Sequence, residues 1–196
     1  MGANNIGLQY AINYCNHTLK KCKEDGNKAG EAACYQGLGA AYWGLGNVEK
    51  ATEFFEKFLE INIKNGNKAE VLKYCVYLGV ACANSNNFKK AIEFFKKSLK
   101  IRIEIGDEAG EAADYGNLGN AYGSLGDFEE AIKFYKEAEK IYGKIREKDG
   151  LKTLYENMAI TYEKMNNPEE ANKYRREVEE IGRLLGDGVP QDVVVV

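Results

Sequence analysis

The residue types that most often carry out chemistry in proteins are cysteine, histidine and paired carboxylates, and here their spacing argues against catalysis. The five cysteines include no Cys-x-x-Cys pair, so neither zinc nor a disulfide framework is expected. Cys15, Cys75 and Cys82 fall where the apolar pattern places a core, which favours buried thiols over nucleophiles. His17 is the only histidine, so no second imidazole is available to share a metal ion. The sequence predicts a protein that is not an enzyme, without catalytic residues, cofactor or metal.

Charge and hydropathy exclude further classes of partner. A formal net charge of -3 attracts no polyphosphate over long distances, so nucleic acid is not an expected partner. No stretch approaches the roughly 20 apolar residues that a membrane span needs. The first ten residues also lack the basic and apolar parts of a signal peptide. A cytoplasmic protein without a membrane partner is predicted.

A period of 40 residues runs through almost the whole chain. Alanine and aromatic residues recur in this register at Ala11, Ala51, Ala91, Ala131 and Ala171, and at Tyr14, Phe54, Phe94, Phe134 and Tyr174. So strict a register is typical of stacked repeat proteins. Folds of this kind generally present a surface to another molecule and perform no chemistry.

Within each repeat the apolar spacing is helical. Phe128, Ala131 and Ile132 begin a stripe with intervals of three and four residues, and Asp127 is placed to cap that helix. Glycines such as Gly126 mark helix ends. The pattern predicts helices over about residues 6–24, 28–44, 48–65, 68–84, 88–105, 108–124, 128–146, 150–164 and 168–185.

The turns differ from repeat to repeat. Asn86 and Asn166 replace the turn glycine within two repeats, and Arg146 replaces it at the fourth link between repeats. At that link the helix is expected to run on toward Asp149-Gly150, which would make the joint longer or angle it differently. The predicted organisation is one array over 6–185, with a half repeat at 6–24, full repeats at about 28–65, 68–105, 108–146 and 150–185, and a flexible tail at 186–196.

The first predicted helix aligns only with the second helix of a repeat, so one of its faces should lack the helix that normally covers it. Two explanations stay open. Either the chain was cut from a larger array, or it pairs with another copy through this open end.

The third repeat carries the most specific motif. It reads Tyr115-Gly116-Asn117-Leu118-Gly119-Asn120-Ala121-Tyr122, followed by Leu125-Gly126-Asp127-Phe128 and Ala131-Ile132. These positions resemble the tetratricopeptide repeat (TPR). The 40-residue period resembles a subclass with lengthened second helices, found in Pins/LGN-type adaptors and in large TPR scaffolds. The resemblance implies an all-α fold, a right-handed α-solenoid of antiparallel helix pairs (a TPR-like superhelix), which binds proteins or linear peptides along a concave groove.

The resemblance also implies that the first helix of each pair lines this groove. The candidate groove residues are Gln36, Trp43, Lys73, Val76, Gly116, Asn117, Asn120, Gly123, Thr153, Glu156 and Asn157. Asn117 and Asn157 would clamp a peptide backbone, or would simply be solvated. Trp43 would anchor a partner, or would be buried against the neighbouring helix.

Gly116 and Gly123 each cost a helix about 1 kcal/mol relative to alanine. They would leave space for a ligand backbone beside Asn120, whose amide can donate and accept at once. Alternatively they are tolerated, or fill tight packing.

The leading functional prediction is therefore a non-catalytic adaptor for an extended peptide segment. Two alternatives stay open: a structural module that self-assembles, for example as a homodimer through the first helix, and the sensing arm of a larger signalling protein.

Overall fold

The structure is a computed structural model that describes residues 3–186, and this part of the chain is entirely α-helical. Its nine helices are α1 (Ala3–Glu24), α2 (Lys28–Gly44), α3 (Val48–Lys64), α4 (Lys68–Asn84), α5 (Phe88–Ile105), α6 (Glu108–Leu125), α7 (Phe128–Ile145), α8 (Lys148–Lys164) and α9 (Pro168–Leu185). The all-α prediction of consecutive helix pairs is confirmed, and α1 begins three residues before its predicted start. The tail predicted beyond residue 186 lies outside the described residues.

The helices group into two compact units, Met1–Ala81 and Cys82–Val196. The prediction that all repeats form one array stays a prediction.

In the first unit, α1 and α2 pack as close antiparallel neighbours. Three glycines of α2, seven residues apart, face α1 side chains that descend by seven: Gly30 faces Cys22, Gly37 faces Cys15, and Gly44 faces Leu8. At the first two glycines an added Cβ would lie within 3 Å of the opposing sulfur, so the helices approach too closely there for a larger residue.

Stacked aromatic rings join the two helices of a repeat. Phe54 of α3 stacks on Tyr42 of α2, with ring centroids 5.5 Å apart. In the second unit, Phe134 stacks on Tyr122 at 5.2 Å and Tyr174 on Tyr162 at 5.6 Å. The aromatic member of the 40-residue register therefore packs against the first helix of its own repeat.

The core follows the same register. Its fully buried members include Leu38, Leu78, Leu118 and Met158. Cys75 and Cys82 are buried, as predicted, whereas Cys15 is only half-buried. Burial, together with the neighbouring Cys22 and Cys15, raises the pKa of the Cys34 thiol to about 11. That pKa opposes the formation of a reactive thiolate.

The turns between the helices differ from two of the predictions. Asp127 precedes α7 but its side chain makes no capping hydrogen bond within the described chain, whereas Asn47 and Asn167 accept from the backbone of Lys50 and Glu170. The prediction of a longer joint at the fourth link between repeats was also wrong. Arg146 itself adopts the left-handed conformation, at φ 57°, and α8 begins two residues later.

The physical reason is that the left-handed turn ends the helix with or without glycine. The backbone N–H of Arg146 donates to Gly143 and that of Glu147 donates to Tyr142, which satisfies the last carbonyls of α7. A side chain at positive φ is strained but allowed.

Candidate functional site

Five predicted groove residues meet at one cavity in the second unit. The cavity has a volume of about 320 Å³ and lies between α6 and α8, with Tyr142 from the end of α7 at its wall. It is lined by Ala113, Gly116, Asn117, Asn120, Tyr142, Asp149, Gly150, Thr153, Leu154 and Asn157. Gly123 and Glu156 do not line it.

Gly116 opens this cavity. Apart from its chain neighbours and the backbone of its own helix turns, no heavy atom of the described chain lies within 4 Å of the point where a Cβ would stand on Gly116. The same point on Gly123 lies 3.7 Å from the Ala131 Cβ, which is ordinary van der Waals contact. Tight packing therefore does not explain the glycine at position 116.

Asn120 is exposed and is held by a neighbour across the repeat. Its Oδ1 accepts a hydrogen bond of 2.7 Å from the hydroxyl of Tyr135. Burial raises the pKa of Tyr135 to about 12, so this hydroxyl keeps its proton near neutral pH and acts as a donor. The carbonyl of Asn120 is thus already engaged, and its amide nitrogen is the group positioned to donate to a ligand.

The two predicted clamp residues are half-buried at the cavity wall. Asn117 belongs to α6 and Asn157 to α8, so the cavity has an amide on each side. Thr153 is exposed and donates to the backbone oxygen of Asp149 at 3.1 Å. An amide carries both a donor and an acceptor, which is what an extended peptide backbone requires.

A second cavity, of about 300 Å³, lies in the first unit and is mainly aromatic. It is lined by Ala40, Trp43, Phe55, Lys73, Tyr74 and Tyr77. The rings of Trp43 and Tyr77 lie 5.1 Å apart, and Phe55 meets Tyr77 edge-on at 6.1 Å. Trp43 is half-buried and forms a wall of the cavity. It is therefore neither fully exposed to a partner nor fully buried against the neighbouring helix.

Of the remaining predicted residues of this unit, Lys73 lines the aromatic cavity and Gln36 contacts it through Tyr74. Gln36 donates from Nε2 to the hydroxyl of Tyr74 at 2.6 Å, and the Lys73 ammonium lies 5.6 Å from the ring of Tyr74. Val76 is half-buried and does not line the cavity.

Four aromatic residues that line the cavities were not predicted from the sequence: Phe55, Tyr74, Tyr77 and Tyr142. A signal existed for Tyr77, because it stands in the same 40-residue register as Asn117 and Asn157. Tyr142 had no such signal. It comes from a second helix, and its ring packs against Gly150 in the first turn of α8.

A charged cluster packs α5 against α6 in the second unit. Asp114 is 1% exposed, and its Oδ2 lies 2.9 Å from Arg102 Nε and accepts a 2.5 Å hydrogen bond from Ser98. Burial raises the pKa of the Asp114 carboxyl, although Ser98 and Arg102 pull it down. Its other oxygen has no hydrogen-bond partner in the described chain. A Cβ on Gly110 would overlap the Arg102 guanidinium, so the glycine leaves room for the ion pair between Arg102 and Asp114.

The described residues contain neither a metal site nor a membrane span. No group of three or more His, Cys, Asp or Glu side chains in 3–186 is arranged to hold a metal ion. None of the helices there is both long and apolar enough to cross a bilayer.

Comparison with known families identifies the repeat. Two family models, both described as tetratricopeptide repeat, match residues 32–65 and 72–144. The chain therefore contains tetratricopeptide repeats, as the motif around Asn117 indicated. Such repeats are in general protein–protein interaction modules.

Solved structures share the fold at low identity. BtubC (BKLC) from P. vanneervenii is 21% identical with a TM-score of 0.68, over 94% of this chain and 77% of that chain. A putative kinesin light chain of Podosopora anserina with TPR-like repeats is 18% identical with a TM-score of 0.69, over 92% and 90%. The TPR domain of Arabidopsis FLU is 24% identical with a TM-score of 0.57, over 61% and 99%. A comparison with curated proteins finds no match.

Proposed function

We propose that this chain is a non-catalytic, cytoplasmic adaptor that binds an extended segment of another protein on the first helices of its repeats, as the Pins/LGN-type subclass implies. The observation that carries the proposal is the α6–α8 cavity, where the open Cα of Gly116 adjoins the amides of Asn117 and Asn157. A helical glycine costs stability without a packing reason here, and a ligand backbone would use the space.

Each part of this cavity suits a peptide. The amides of Asn117, Asn120 and Asn157 would form hydrogen bonds with backbone groups of the ligand. These bonds would not depend on the amino-acid sequence of the ligand. Such contacts give affinity for extended chains in general. Specificity would then come from side-chain pockets and from charged neighbours such as Glu156 and Lys73.

The aromatic cavity of the first unit would supply one such pocket. Trp43, Phe55 and Tyr77 form apolar walls, and aromatic side chains in partly desolvated pockets are frequent anchors of binding energy. An aliphatic or aromatic side chain of the partner would fit there.

The test begins with a random-peptide library screened against the wild type. Selected peptides are then titrated against the double variant Asn117→Ala/Asn120→Ala and against Asn13→Ala/Asn16→Ala, a matched pair of asparagines with the same spacing on α1. We expect the dissociation constant to rise at least about tenfold for the first variant, or roughly 1.4 kcal/mol, and not to change for the second. Equal binding by all three proteins would reject the clamp.

Self-association through α1 is a second candidate function, because one face of that helix is apolar and open. Ile6, Tyr10 and Tyr14 are 73%, 74% and 62% exposed. Exposed apolar residues that adjoin one another commonly mark an interaction surface.

A further inference from the structure

Ile6, Tyr10 and Tyr14 form a continuous apolar row on α1, here called the α1 ridge. Their spacing of four residues places them one above the other on the helix surface. Tyr14 stands in the register of Phe54, Phe134 and Tyr174, each of which stacks on a tyrosine of its own repeat. The ring of Tyr14 is therefore of a kind that elsewhere in the chain is packed against another helix.

The surface around the ridge is also free of charge, unlike the other second helices. Gln9, Tyr10, Asn13, Asn16 and His17 occupy five positions of the 40-residue register. All four later repeats carry Lys, Arg, Glu or Asp at every one of them, beginning with Glu49, Lys50, Glu53, Glu56 and Lys57. Residues 1–19 contain no Lys, Arg, Asp or Glu at all.

This neutrality extends beyond the apolar row. A single missing helix would explain why Tyr14 is open, but it would not explain why charge is lost at every one of these exposed positions. Charged side chains are depleted in the centres of protein interfaces, where their desolvation is costly. The composition of α1 up to Leu19 is thus that of a surface covered in the working assembly.

We propose that the α1 ridge is covered by the α1 ridge of a second copy of this chain, related by a twofold axis at Tyr10. This inference rests on the self-association proposed above and is independent of the peptide site. Ile6 and Tyr14 lie at equal distances of four residues on either side of Tyr10. In an antiparallel pair, Tyr10 faces its counterpart while Ile6 faces Tyr14 of the partner subunit, so the same patch serves both copies.

The geometry of such a pair follows from the spacing. Rows of residues four apart on both helices interdigitate at a crossing angle of about 50°. Each buried tyrosine covers about 150–250 Å², so the ridge supplies roughly half of the ~800 Å² that each partner contributes to a standard interface. The amides of Gln9 and Asn13 would complete the rim, since an amide can both donate to and accept from its own kind.

A second copy also fits the charge of the surface better than a charged partner does. The neutral rim offers no counter-charge to an acidic or basic ligand, so it cannot select one. Two copies of the rim meet without like-charge repulsion, which would arise if the ammonium and carboxylate groups of the other second helices stood there.

The experiment is sedimentation equilibrium over a wide concentration range, in the absence of peptide. The test variant is Tyr10→Lys, which introduces the residue that Lys50 and Lys90 already carry in this register and which leaves the α1–α2 contact untouched. Its matched control is Leu184→Lys, at another exposed apolar residue of a second helix (63% exposed), in the register of Lys64 and Lys144. Circular dichroism verifies that both variants fold.

We expect the wild type to form dimers. The dissociation constant of the dimer should rise more than about tenfold for Tyr10→Lys, because two ammonium groups would face each other. It should not change for Leu184→Lys. A Tyr10→Cys variant should also form a covalent dimer on mild oxidation, whereas Leu184→Cys should not. Dimers that persist in Tyr10→Lys would overturn the α1 pairing while leaving self-association in place. A wild type that remains monomeric at every concentration would overturn both, and neither result bears on peptide binding.

Discussion

Two glycines of α6, three residues apart, serve opposite purposes. Gly119 is buried, and a Cβ there would collide with the ring of Tyr135, which cannot move because it is itself buried. Gly116 faces open space at the candidate peptide cavity. The first glycine is a requirement of packing, and the second is free to serve a ligand.

We therefore predict opposite effects for the same substitution. Gly116→Ala should raise the free energy of unfolding by about 1 kcal/mol, because alanine favours the helix. Gly119→Ala should lower it by about 1–3 kcal/mol through overpacking. Urea denaturation measures both, and Gly116→Ala should also weaken binding of the selected peptides. A variant at position 116 that is more stable and binds equally well would refute the use of this space by a ligand.

The buried carboxyl of Asp114 gives a prediction about pH. Burial raises its pKa above the ordinary 3.8, so folding favours the protonated form. Its contribution to stability is complete below pH 3.8 and is lost as the pH rises through the pKa of the folded state. The free energy of unfolding of the wild type, minus that of Asp114→Asn, should therefore fall as the pH rises from 3.8 toward neutrality.

Urea denaturation at a series of pH values measures this difference, because asparagine does not titrate. Asp127→Asn, at an exposed residue outside the cluster, controls for the loss of one negative charge. A difference for Asp114 that stays constant or grows with pH would show that Arg102 and Ser98 outweigh burial.

At the scale of the helices, the left-handed residue after each helix controls how it ends. Gly46, Gly106 and Gly126 take this conformation without a side chain, whereas Arg146 takes it at φ 57° with one. Each turn ends its helix, so glycine affects the energy of the turn more than its shape.

Arg146→Gly should consequently stabilise the chain by up to about 1 kcal/mol, because it removes the strain of a side chain at positive φ. Gly126→Ala should destabilise it by a similar amount, since the same strain is introduced at φ 85°. Thermal and urea unfolding measure both changes. If Arg146→Gly is the less stable protein, side-chain contacts of Arg146 outweigh the backbone strain.

At the scale of the whole molecule, the two compact units allow stability to be assigned locally. Trp43 is the only tryptophan and lies in the first unit, so its fluorescence follows that unit, while circular dichroism follows every helix. In repeat proteins, stability is approximately a sum of terms from each repeat and from its neighbours.

Truncation of the buried Leu118 in the second unit should cost about 2–5 kcal/mol. We expect Leu118→Ala to lower the urea midpoint seen by circular dichroism more than the midpoint seen by Trp43 fluorescence. The equivalent change in the first unit, Leu38→Ala, should lower the fluorescence midpoint more. Coincident midpoints in both variants would show that the chain unfolds as a single cooperative body.

The helices could be read from the sequence almost to the residue, because their signals are local. Apolar spacing, the asparagine before α9 and the glycine after α6 each act within a few neighbouring residues, and the 40-residue period repeats the signal. Even the failure at Asp127 was local, since a capping residue can precede a helix without making its hydrogen bond.

What the sequence alone determined was therefore the repeat, the helix bounds and the register that brings Gly116, Asn117 and Asn157 to one cavity. Only the tertiary structure decided that Tyr77 and Tyr142 also line cavities, that Tyr135 engages Asn120, and that Asp114 is buried beside Arg102. These contacts join residues of different helices, so they depend on how closely the helices pack and not on the pattern within any one of them.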